Sequence, residues 1–256
     1  MKLAFVGIDL LYTTLETLGR RADVEILEIF TCPNLYEGEK SDRVVAFAKS
    51  RGISCTKEKL NASDLDRLKQ KGCQLLLCAG YYYRLPITDA FPMVNIHPAP
   101  LPDYRGAWPM PWILLWGESK GGVVFHKMAE QFDTGEILLK KDFPLTPDHT
   151  LADYMADANA LLPDMVEDLL SHLPTLLAHA KPQTGGRYLK NPTEEDWTVT
   201  DQMTVKEADR ILRAFYGYPC VYRKEGLVAE ISFARADYGA PKGLDLPLKD
   251  GRITFS

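Results

Sequence analysis

Short apolar runs alternate with helical segments through the first hundred residues of the chain. The runs have the uninterrupted apolar character of parallel strands covered on both faces, and the segments between them repeat apolar residues at helical spacing. The predicted strands are 3–6, 24–30, 74–78 and 94–97, and the predicted helices are 11–21, 41–51 and 63–71. The alternation predicts an α/β fold, a Rossmann-like, twisted, mostly parallel sheet with helices on both faces.

Serine residues mark the starts of two of these helices. Ser41 and Ser63 precede the helical periodicity, and a serine hydroxyl at this position accepts a backbone N–H that has no partner inside the helix. We therefore expect both side chains to cap their helices.

The second half of the chain continues the alternation with longer elements. We predict an aromatic-rich helix over 107–116, strands over 122–128 and 137–143, and a long helix over 151–180. Trp108, Trp112 and Trp116 are spaced by four residues, which predicts one shared face packed in the core. Pro163 and Pro174 should kink or divide the long helix, because proline lacks the backbone donor that a helix interior uses.

A turn-rich stretch at 181–186 indicates a domain boundary. The elements predicted beyond it are a helix at 205–215 and half-exposed strands at 221–223 and 228–233. We therefore expect a main domain, 1–185, and a small C-terminal domain, 186–256, that consists of a helix and a β unit.

Composition narrows the class of protein. The chain has 256 residues, 46% hydrophobic and 25% charged, which is typical of a globular protein with a full core. The net charge of −5 argues against broad nucleic-acid binding, although a local basic patch stays open. The five cysteines form no C-x-x-C pair, which argues against a disulfide framework or a zinc-thiolate site and favours a reducing cytoplasm.

The N-terminus and the apolar runs predict neither a signal peptide nor a membrane span. The apolar N-terminus is short and is interrupted by Asp9, so we interpret it as a first strand rather than a signal peptide. No run reaches the roughly 18 apolar residues that a membrane span needs.

The strongest chemical signal lies at the end of the strand at 94–97. Asn95 and His97 are two residues apart, so in an extended segment both side chains point to the same face. Prolines at 98, 100 and 102 make the following loop stiff, and Asp133 follows in a Phe-Asp-Thr-Gly turn. An amide, an imidazole and a carboxylate can stabilise an oxyanion and move protons at an acyl centre.

Each of these residues also has a structural interpretation. A single histidine such as His97 is more often structural than catalytic, and Asp133 could simply cap the turn at Thr134. We interpret His126, which alternates with core residues, as a buried packing histidine.

Other catalytic motifs are absent from the sequence. The first strand is followed by Gly7-Ile-Asp-Leu10 rather than G-x-G-x-x-G, which argues against a dinucleotide cofactor. The chain has neither a Walker A segment nor a G-x-S-x-G elbow. Tyr81, Tyr82 and Tyr83 follow the strand at 74–78 and cannot all face one way, so part of this row is a candidate pocket wall.

Taken together, these residues resemble the folate-dependent formyltransferase family, which includes methionyl-tRNA, glycinamide ribonucleotide and sugar-nucleotide formyltransferases. The resemblance covers nearly the whole chain and follows the family in order and spacing. Its motifs are 95–97, 101–106, 117–118, 126–128, 132–138 and 209–215 with Tyr218 and Pro219.

The resemblance implies a mechanism without a metal. It implies 10-formyltetrahydrofolate as co-substrate and a primary amine as acceptor. Asn95 would hold the formyl oxygen, and His97 would stabilise the oxyanion and take part in proton transfer. Asp133 would orient His97 and accept, through water, the proton that the attacking amine loses.

The resemblance also implies two sets of binding residues. The expected folate-binding residues are Leu85, Pro86, Ile87, Ala99, Pro100, Leu101, Pro102, Ala129, Glu130, Gln131, Phe132 and Asp133. The expected acceptor-binding residues are Tyr81, Tyr82, Arg84, Tyr104 and Arg105.

Departures from the family pattern bear on the acceptor. Methionyl-tRNA formyltransferases usually carry a basic insertion after the second strand, whereas 32–40 is short and acidic here. The C-terminal unit is short for a full OB-like barrel, and Tyr82-Tyr83-Arg84 resembles a loop of the formyltransferase domain in the lipid A aminoarabinose pathway. We therefore expect a small amine acceptor, such as a nucleotide-linked amino sugar.

Three other functions stay open at this point. They are methionyl-tRNA formylation, hydrolysis of formyltetrahydrofolate by water, and ligand binding without catalysis. A homodimer formed through the C-terminal helix and β unit also stays open.

Overall fold

The computed structural model describes residues 1–34, 40–232 and 245–254. Its main feature is a seven-stranded sheet with the strand order β3-β2-β1-β4-β5-β6-β7. The strands are β1 (Lys2–Gly7), β2 (Glu25–Phe30), β3 (Cys55–Thr56), β4 (Leu75–Ala79), β5 (Met93–His97), β6 (Lys120–Lys127) and β7 (Ile137–Pro144). The α-helices within these residues are α1 (Tyr12–Arg20), α2 (Asp42–Arg51), α3 (Ala62–Gln70), α4 (Met110–Leu115), α5 (Leu151–Ala178) and α6 (Val205–Ala214).

The first five strands of the sheet are parallel. β1 pairs with β2 on one side and with β4 on the other, and β5 continues the parallel arrangement next to β4. β6 then runs antiparallel to β5. The predicted α/β, Rossmann-like, mostly parallel sheet is confirmed.

Burial explains why the apolar runs predicted this sheet. Every residue of β4 is buried, as are residues 3–7 of β1, so these strands have no exposed face that would require polar residues. The edge strand β3 has only two residues and was not predicted, because so short a segment has no periodicity.

Ser41 does occupy the predicted N-cap position of α2, whereas Ser63 is not the N-cap of α3, and neither serine side chain caps its helix. Ser41 is the first residue before α2, but its hydroxyl donates to the Cys32 carbonyl at 2.5 Å instead of capping the helix. The Asp9 carboxylate accepts from the Arg43 and Val44 N–H groups at 3.0 Å each, and its negative charge suits a helix N-terminus. A side chain from a distant segment therefore caps α2.

Helix α3 begins at Ala62, one residue earlier than expected, and its cap residue lies two residues before Ser63. Asn61 is its N-cap, and the Asn61 side chain accepts from the N–H groups of Ser63 and Asp64. The Asp64 side chain accepts in return from the Asn61 N–H at 2.8 Å, which completes a capping box.

The two helices with internal prolines differ from the prediction in position. α4 begins at Met110 rather than at 107, with Pro111 in its first turn, where a missing N–H costs nothing. α5 has non-helical backbone angles at His172, two residues before Pro174, so a division there is confirmed. The backbone of α5 has no corresponding break at Pro163.

The chain folds as two compact units. One comprises 1–106, 122–143 and 157–188, and the other comprises 107–121, 144–156 and 189–256. The division after residue 185 that we expected from the sequence stays a prediction.

The second unit contains small sheets and aromatic packing. Its strands are β8 (Thr198–Thr200), β9 (Pro219–Lys224), β10 (Leu227–Ser232), β11 (Asp245–Leu248) and β12 (Gly251–Thr254). β9 pairs with β10 in an antiparallel hairpin and with β8 in parallel. Trp108 lies before α4 and packs on Phe215 and Tyr218 at ring-centre distances of 5.7 and 4.7 Å, while Trp112 packs on Trp116.

Among the residues that the structure describes, no helix is both long enough and apolar enough to span a membrane.

Candidate active site

The candidate site lies at the carboxyl end of β5, where strand pairing brings three polar side chains together. Asn95 and His97 lie on the same face of β5, as their spacing predicted. Asn95 lies directly opposite His126 of the antiparallel strand β6, and the Asn95 amide nitrogen is 3.1 Å from His126 Nε2. The two imidazole rings are 6.4 Å apart between centres.

Backbone carbonyls fix the proton positions on both rings. His97 Nε2–H donates to the Tyr104 carbonyl at 2.7 Å, and His126 Nδ1–H donates to the Lys127 carbonyl at 2.8 Å. In the neutral rings the remaining nitrogens, His97 Nδ1 and His126 Nε2, are therefore acceptors. The Asn95 amide donates to His126 Nε2, which leaves its second N–H available.

Asp133 completes the cluster from the loop between β6 and β7. Its Oδ1 lies 3.6 Å from His97 Nδ1 and 3.6 Å from His126 Nε2, and its Oδ2 accepts the Gly106 N–H at 2.9 Å. Asp133 has a φ of 56°, a left-handed conformation that aspartate adopts more readily than most residues. The loop is tightly packed, since a Cβ at Gly135 would lie 1.7 Å from the Lys127 carbonyl oxygen.

Burial and charge have opposite effects on the acids and bases of this cluster. Burial lowers the pKa of His97, although the Asp133 carboxylate partly opposes that effect, so the ring is neutral at pH 7. Burial would raise the pKa of Asp133, but His97, His126 and the Gly106 amide together lower it to about 2. At neutral pH the site therefore combines an ionised carboxylate with uncharged imidazole.

The arrangement suits acyl transfer. The free Asn95 N–H is a donor for a developing oxyanion, and His97 Nδ1 and Asp133 Oδ1 are neighbouring acceptors for a proton. His97 Nδ1 and Asp133 Oδ1 are not hydrogen-bonded to each other, because their separation of 3.6 Å is too long for a direct hydrogen bond.

His126 belongs to this cluster as well, which its sequence pattern did not predict. The residue is buried, as predicted, but it contacts Asn95 and Asp133 instead of only packing. The signal that could have identified it is the register of β5 against β6, and this register depends on a pairing that local periodicity does not contain.

The expected folate-binding residues divide into buried and accessible ones. The side chains of Leu85, Ala99 and Leu101 are at most 5% exposed, so only their backbone could meet a ligand. Phe132 is 51% exposed, and Arg84 joins two of the segments by donating to the Glu130 carbonyl at 2.5 Å. The remaining expected positions are partly or fully exposed: Pro86, Ile87, Pro100, Pro102, Ala129, Gln131 and Asp133.

The expected acceptor-binding residues differ in how far their side chains are already engaged. Tyr81 is half-buried, and its hydroxyl accepts from the Leu60 N–H at 3.1 Å. Tyr104 is buried and supplies the carbonyl that holds His97. Tyr82 is 37% exposed, and Arg105 donates to Gln183.

Within 1–34, 40–232 and 245–254, no group of three or more His, Cys, Asp or Glu side chains is arranged to hold a metal ion. Residues 35–39 of the acidic stretch 32–40 lie outside the described residues.

Comparison with known families agrees with this geometry. The family model described as formyl transferase matches residues 24–166, more than half of the chain. The chain therefore belongs to the folate-dependent formyltransferase family, and it is an enzyme that transfers formyl groups.

The chain is similar to members that differ in acceptor. It is 27% identical over 239 residues to a methionyl-tRNA formyltransferase of Sulfurimonas denitrificans, across 89% of this chain and 78% of that one. A sugar N-formyltransferase of Shewanella sp. FDAARGOS_354 has the same fold, with a TM-score of 0.70, 20% identity and coverage of 91% and 97%.

A third relative was solved with ligands. This sugar 3N-formyltransferase, solved in the presence of dTDP and 5-N-formyl-THF, gives a TM-score of 0.64 with 16% identity. The match covers 100% of this chain and 94% of that one.

Proposed function

We propose that this enzyme transfers the formyl group of 10-formyltetrahydrofolate to the primary amine of a small molecule, such as a nucleotide-linked amino sugar. The observation that carries the proposal is the convergence of the Asn95 amide, His97 Nδ1 and Asp133 Oδ1 at the carboxyl end of β5. Ligands of open α/β sheets bind outside this end of the strands.

The residues around the cluster fit a folate donor. When bound, 10-formyltetrahydrofolate supplies the electrophilic formyl carbon. The set of polar atoms fits that group, because it combines one free amide donor with two proton acceptors beside it. Accessible residues such as Pro86, Pro100 and Phe132 would hold the rest of the folate, largely through backbone and apolar contacts.

Each member of the cluster has a role that its protonation state permits. The second N–H of the Asn95 amide would donate to the formyl oxygen as negative charge develops there. His97 Nδ1 carries no proton in the neutral ring, so it would accept the proton of the attacking amine before it could donate to an oxyanion. The ionised Asp133 would stabilise the charged imidazole and accept a proton through water.

Two features favour a small acceptor over tRNA. The net charge is −5, whereas gripping an acceptor stem depends on lysine and arginine contacts to phosphate. Tyr82 and Arg84 are exposed beside the expected folate loops and could contact an acceptor. Methionyl-tRNA formylation is the second candidate, and the 27% identity to the Sulfurimonas denitrificans enzyme favours it.

A panel of amines tests the acceptor. We would incubate the full chain with 10-formyltetrahydrofolate and UDP- or dTDP-linked 3-amino and 4-amino sugars, or with methionyl initiator tRNA, and detect formylated products by mass spectrometry. Formylation of an amino sugar nucleotide is expected. Formylation of the tRNA alone, with a rate that falls steeply between 50 and 200 mM salt, would contradict the proposal.

Hydrolysis by water is tested in the same assay without an amine. The proposal predicts little formate release until an acceptor is added. An Asn95→Ala, His97→Ala double variant that keeps its turnover would show that the site assignment is wrong.

A further inference from the structure

Gln183 connects the two segments that hold the Asp133 carboxylate. Its amide nitrogen donates to the Asp133 carbonyl at 2.9 Å and to the Gly135 carbonyl at 2.7 Å. Its amide oxygen accepts from Arg105, at 3.2 Å from Nε and 2.9 Å from Nη2. A single side chain thus uses both of its N–H groups and both lone pairs.

The partners of Gln183 also meet at the carboxylate itself. Arg105 directly precedes Gly106, and the Gly106 N–H donates to Asp133 Oδ2 at 2.9 Å. Gln183 therefore bonds to the backbone of Asp133 and also to Arg105, which directly precedes the glycine that donates to the Asp133 carboxylate. A shift of either segment would stretch at least one of these hydrogen bonds.

The backbone on both sides of Gln183 is paired with the same two segments. Lys181 and Ile137 exchange backbone hydrogen bonds of 2.8 and 2.9 Å, a few residues beyond the Asp133 loop. The Arg105 N–H donates to the Arg187 carbonyl at 3.2 Å. Backbone pairing on both sides of Gln183 thus holds this residue beside the two segments, in addition to its side-chain hydrogen bonds.

The Asp133 loop depends on such contacts from outside. The φ of 56° at Asp133 lies in a sparsely populated region, which a loop retains only when its surroundings determine it. Gln183 supplies such contacts from another segment, through its hydrogen bonds to the Asp133 and Gly135 carbonyls. The direction of its carboxylate follows from this main-chain conformation.

We propose that Gln183 is a positioning residue of the formyltransferase site. Its hydrogen bonds hold Asp133 Oδ1 at 3.6 Å from both His97 Nδ1 and His126 Nε2. This inference rests on the proposed roles of His97 and Asp133 in formyl transfer. Gln183 itself touches no reacting atom, and it acts on the reaction only through the carboxylate that it places.

Two substitutions remove the proposed positioning role of Gln183 in different ways. Gln183→Ala removes all four hydrogen bonds. Gln183→Glu has nearly the same shape and keeps the oxygen that faces Arg105, but its carboxylate cannot donate to the two loop carbonyls. Gln70→Ala, at the exposed end of α3, is the matched control.

Kinetics give the first readout. With 10-formyltetrahydrofolate and the amino sugar nucleotide of the panel that reacts fastest, we expect both Gln183 variants to lower kcat about 10- to 100-fold, since misplacing a catalytic group by about 1 Å has effects of this size. The KM for the folate should change by less than about 2-fold, and Gln70→Ala should match the wild type.

The titration of His97 in the free protein gives a second readout, which needs no substrate. The charged and titratable groups that face this ring are Asp133 and His126, and Asp133 opposes the lowering of the His97 pKa by burial. If Asp133 moves away in the Gln183 variants, the His97 pKa should fall below its wild-type value. Nitrogen-15 NMR of labelled histidine measures this change.

The two readouts decide the inference together. A lower kcat with a lower His97 pKa in either Gln183 variant supports it. A wild-type kcat, or a lower kcat with an unchanged His97 titration, would overturn it.

The Asp133→Asn variant separates this inference from the proposed function. In that background Gln183→Ala should reduce kcat by less than about 2-fold further, because both substitutions act on one carboxylate. If Asp133→Asn is fully active, the proposed function fails; if it is impaired but the Gln183 variants are not, only the role of Gln183 fails.

Discussion

The first unit contains two largely buried carboxylates, Glu28 on β2 and Asp133 in the loop after β6, and their surroundings differ. Glu28 is bonded directly to cations, to Arg67 at 3.0 and 2.7 Å and to Lys71 at 2.5 Å. Asp133 has one direct partner for its carboxylate, the Gly106 N–H, and its other oxygen faces two imidazoles at 3.6 Å. Both carboxyls have a lowered pKa.

The difference indicates what each carboxylate does. A buried charge that is fully paired with cations contributes to a stable packing of strand and helix, as Glu28 does between β2 and α3. A buried charge with an oxygen left for a substrate or a proton is typical of a catalytic site. Because the pKa is lowered for both carboxyls, it does not distinguish the structural carboxylate from the catalytic one. The direct hydrogen bonds to cations do, since Glu28 has them and Asp133 does not.

The largest expected effect is that of Asp133→Asn on turnover. The amide keeps the shape but loses the negative charge that would stabilise a protonated His97, so kcat should fall about 10²- to 10⁴-fold. Steady-state release of tetrahydrofolate measures it. The matched control is Glu28→Gln, which should keep kcat within about 2-fold; equal losses in both variants would remove the distinction between the two carboxylates.

Asn95→Ala should have the next largest effect. It removes the amide that would donate to the formyl oxygen, and loss of one such donor lowers kcat about 10²- to 10³-fold. A matched change on β5 is Met93→Leu, which keeps the volume of a buried apolar side chain and should leave turnover unchanged. A loss of folate binding without loss of kcat would contradict the role given to Asn95.

Glu28→Gln should lower stability instead of activity. It replaces the carboxylate by an amide next to Arg67 and Lys71, so the free energy of unfolding should fall by about 2 kcal/mol. Urea unfolding at pH 7 measures this change, with Gln70→Ala as the control. An unchanged free energy of unfolding in Glu28→Gln would contradict the stabilising role given to this carboxylate.

The last expected effect is a loss of folding stability in acid, caused by protonation of Asp133. The pKa of Asp133 is about 2 in the folded protein and near 3.8 when unfolded, so between these values the unfolded chain binds more protons and stability falls as pH falls. Its contribution is fully present above about pH 5, and it is lost toward pH 2. Wild type should lose about 2 kcal/mol more than Asp133→Asn over this window, as measured by urea unfolding. Parallel curves for the two proteins would contradict it.

The sequence predicted the sheet and the core of the site for specific physical reasons. β1 and β4 are covered on both faces and are therefore continuously apolar, and the two-residue spacing of Asn95 and His97 requires only an extended strand to place them on one face. Asp133 was a candidate from its Phe-Asp-Thr-Gly turn, and the resemblance to the family implied its role as the partner of His97.

What the sequence could not predict depends on pairing between distant segments. His126 joins the site through the register of β6 against β5, and Asp9 caps α2 from the far side of a loop. Gln183 lies fifty residues beyond Asp133 and contacts it only once the chain returns beside Ile137. None of these contacts leaves a local pattern in the chain.

A structure of the full chain with 5-formyltetrahydrofolate, a stable analogue of the formyl donor, tests the central claim most directly. The account predicts the formyl group at the carboxyl end of β5, within about 4 Å of the Asn95 amide nitrogen and of His97 Nδ1, close enough for hydrogen bonding directly or through one water. A folate bound elsewhere, with Asn95, His97 and Asp133 untouched, would contradict it.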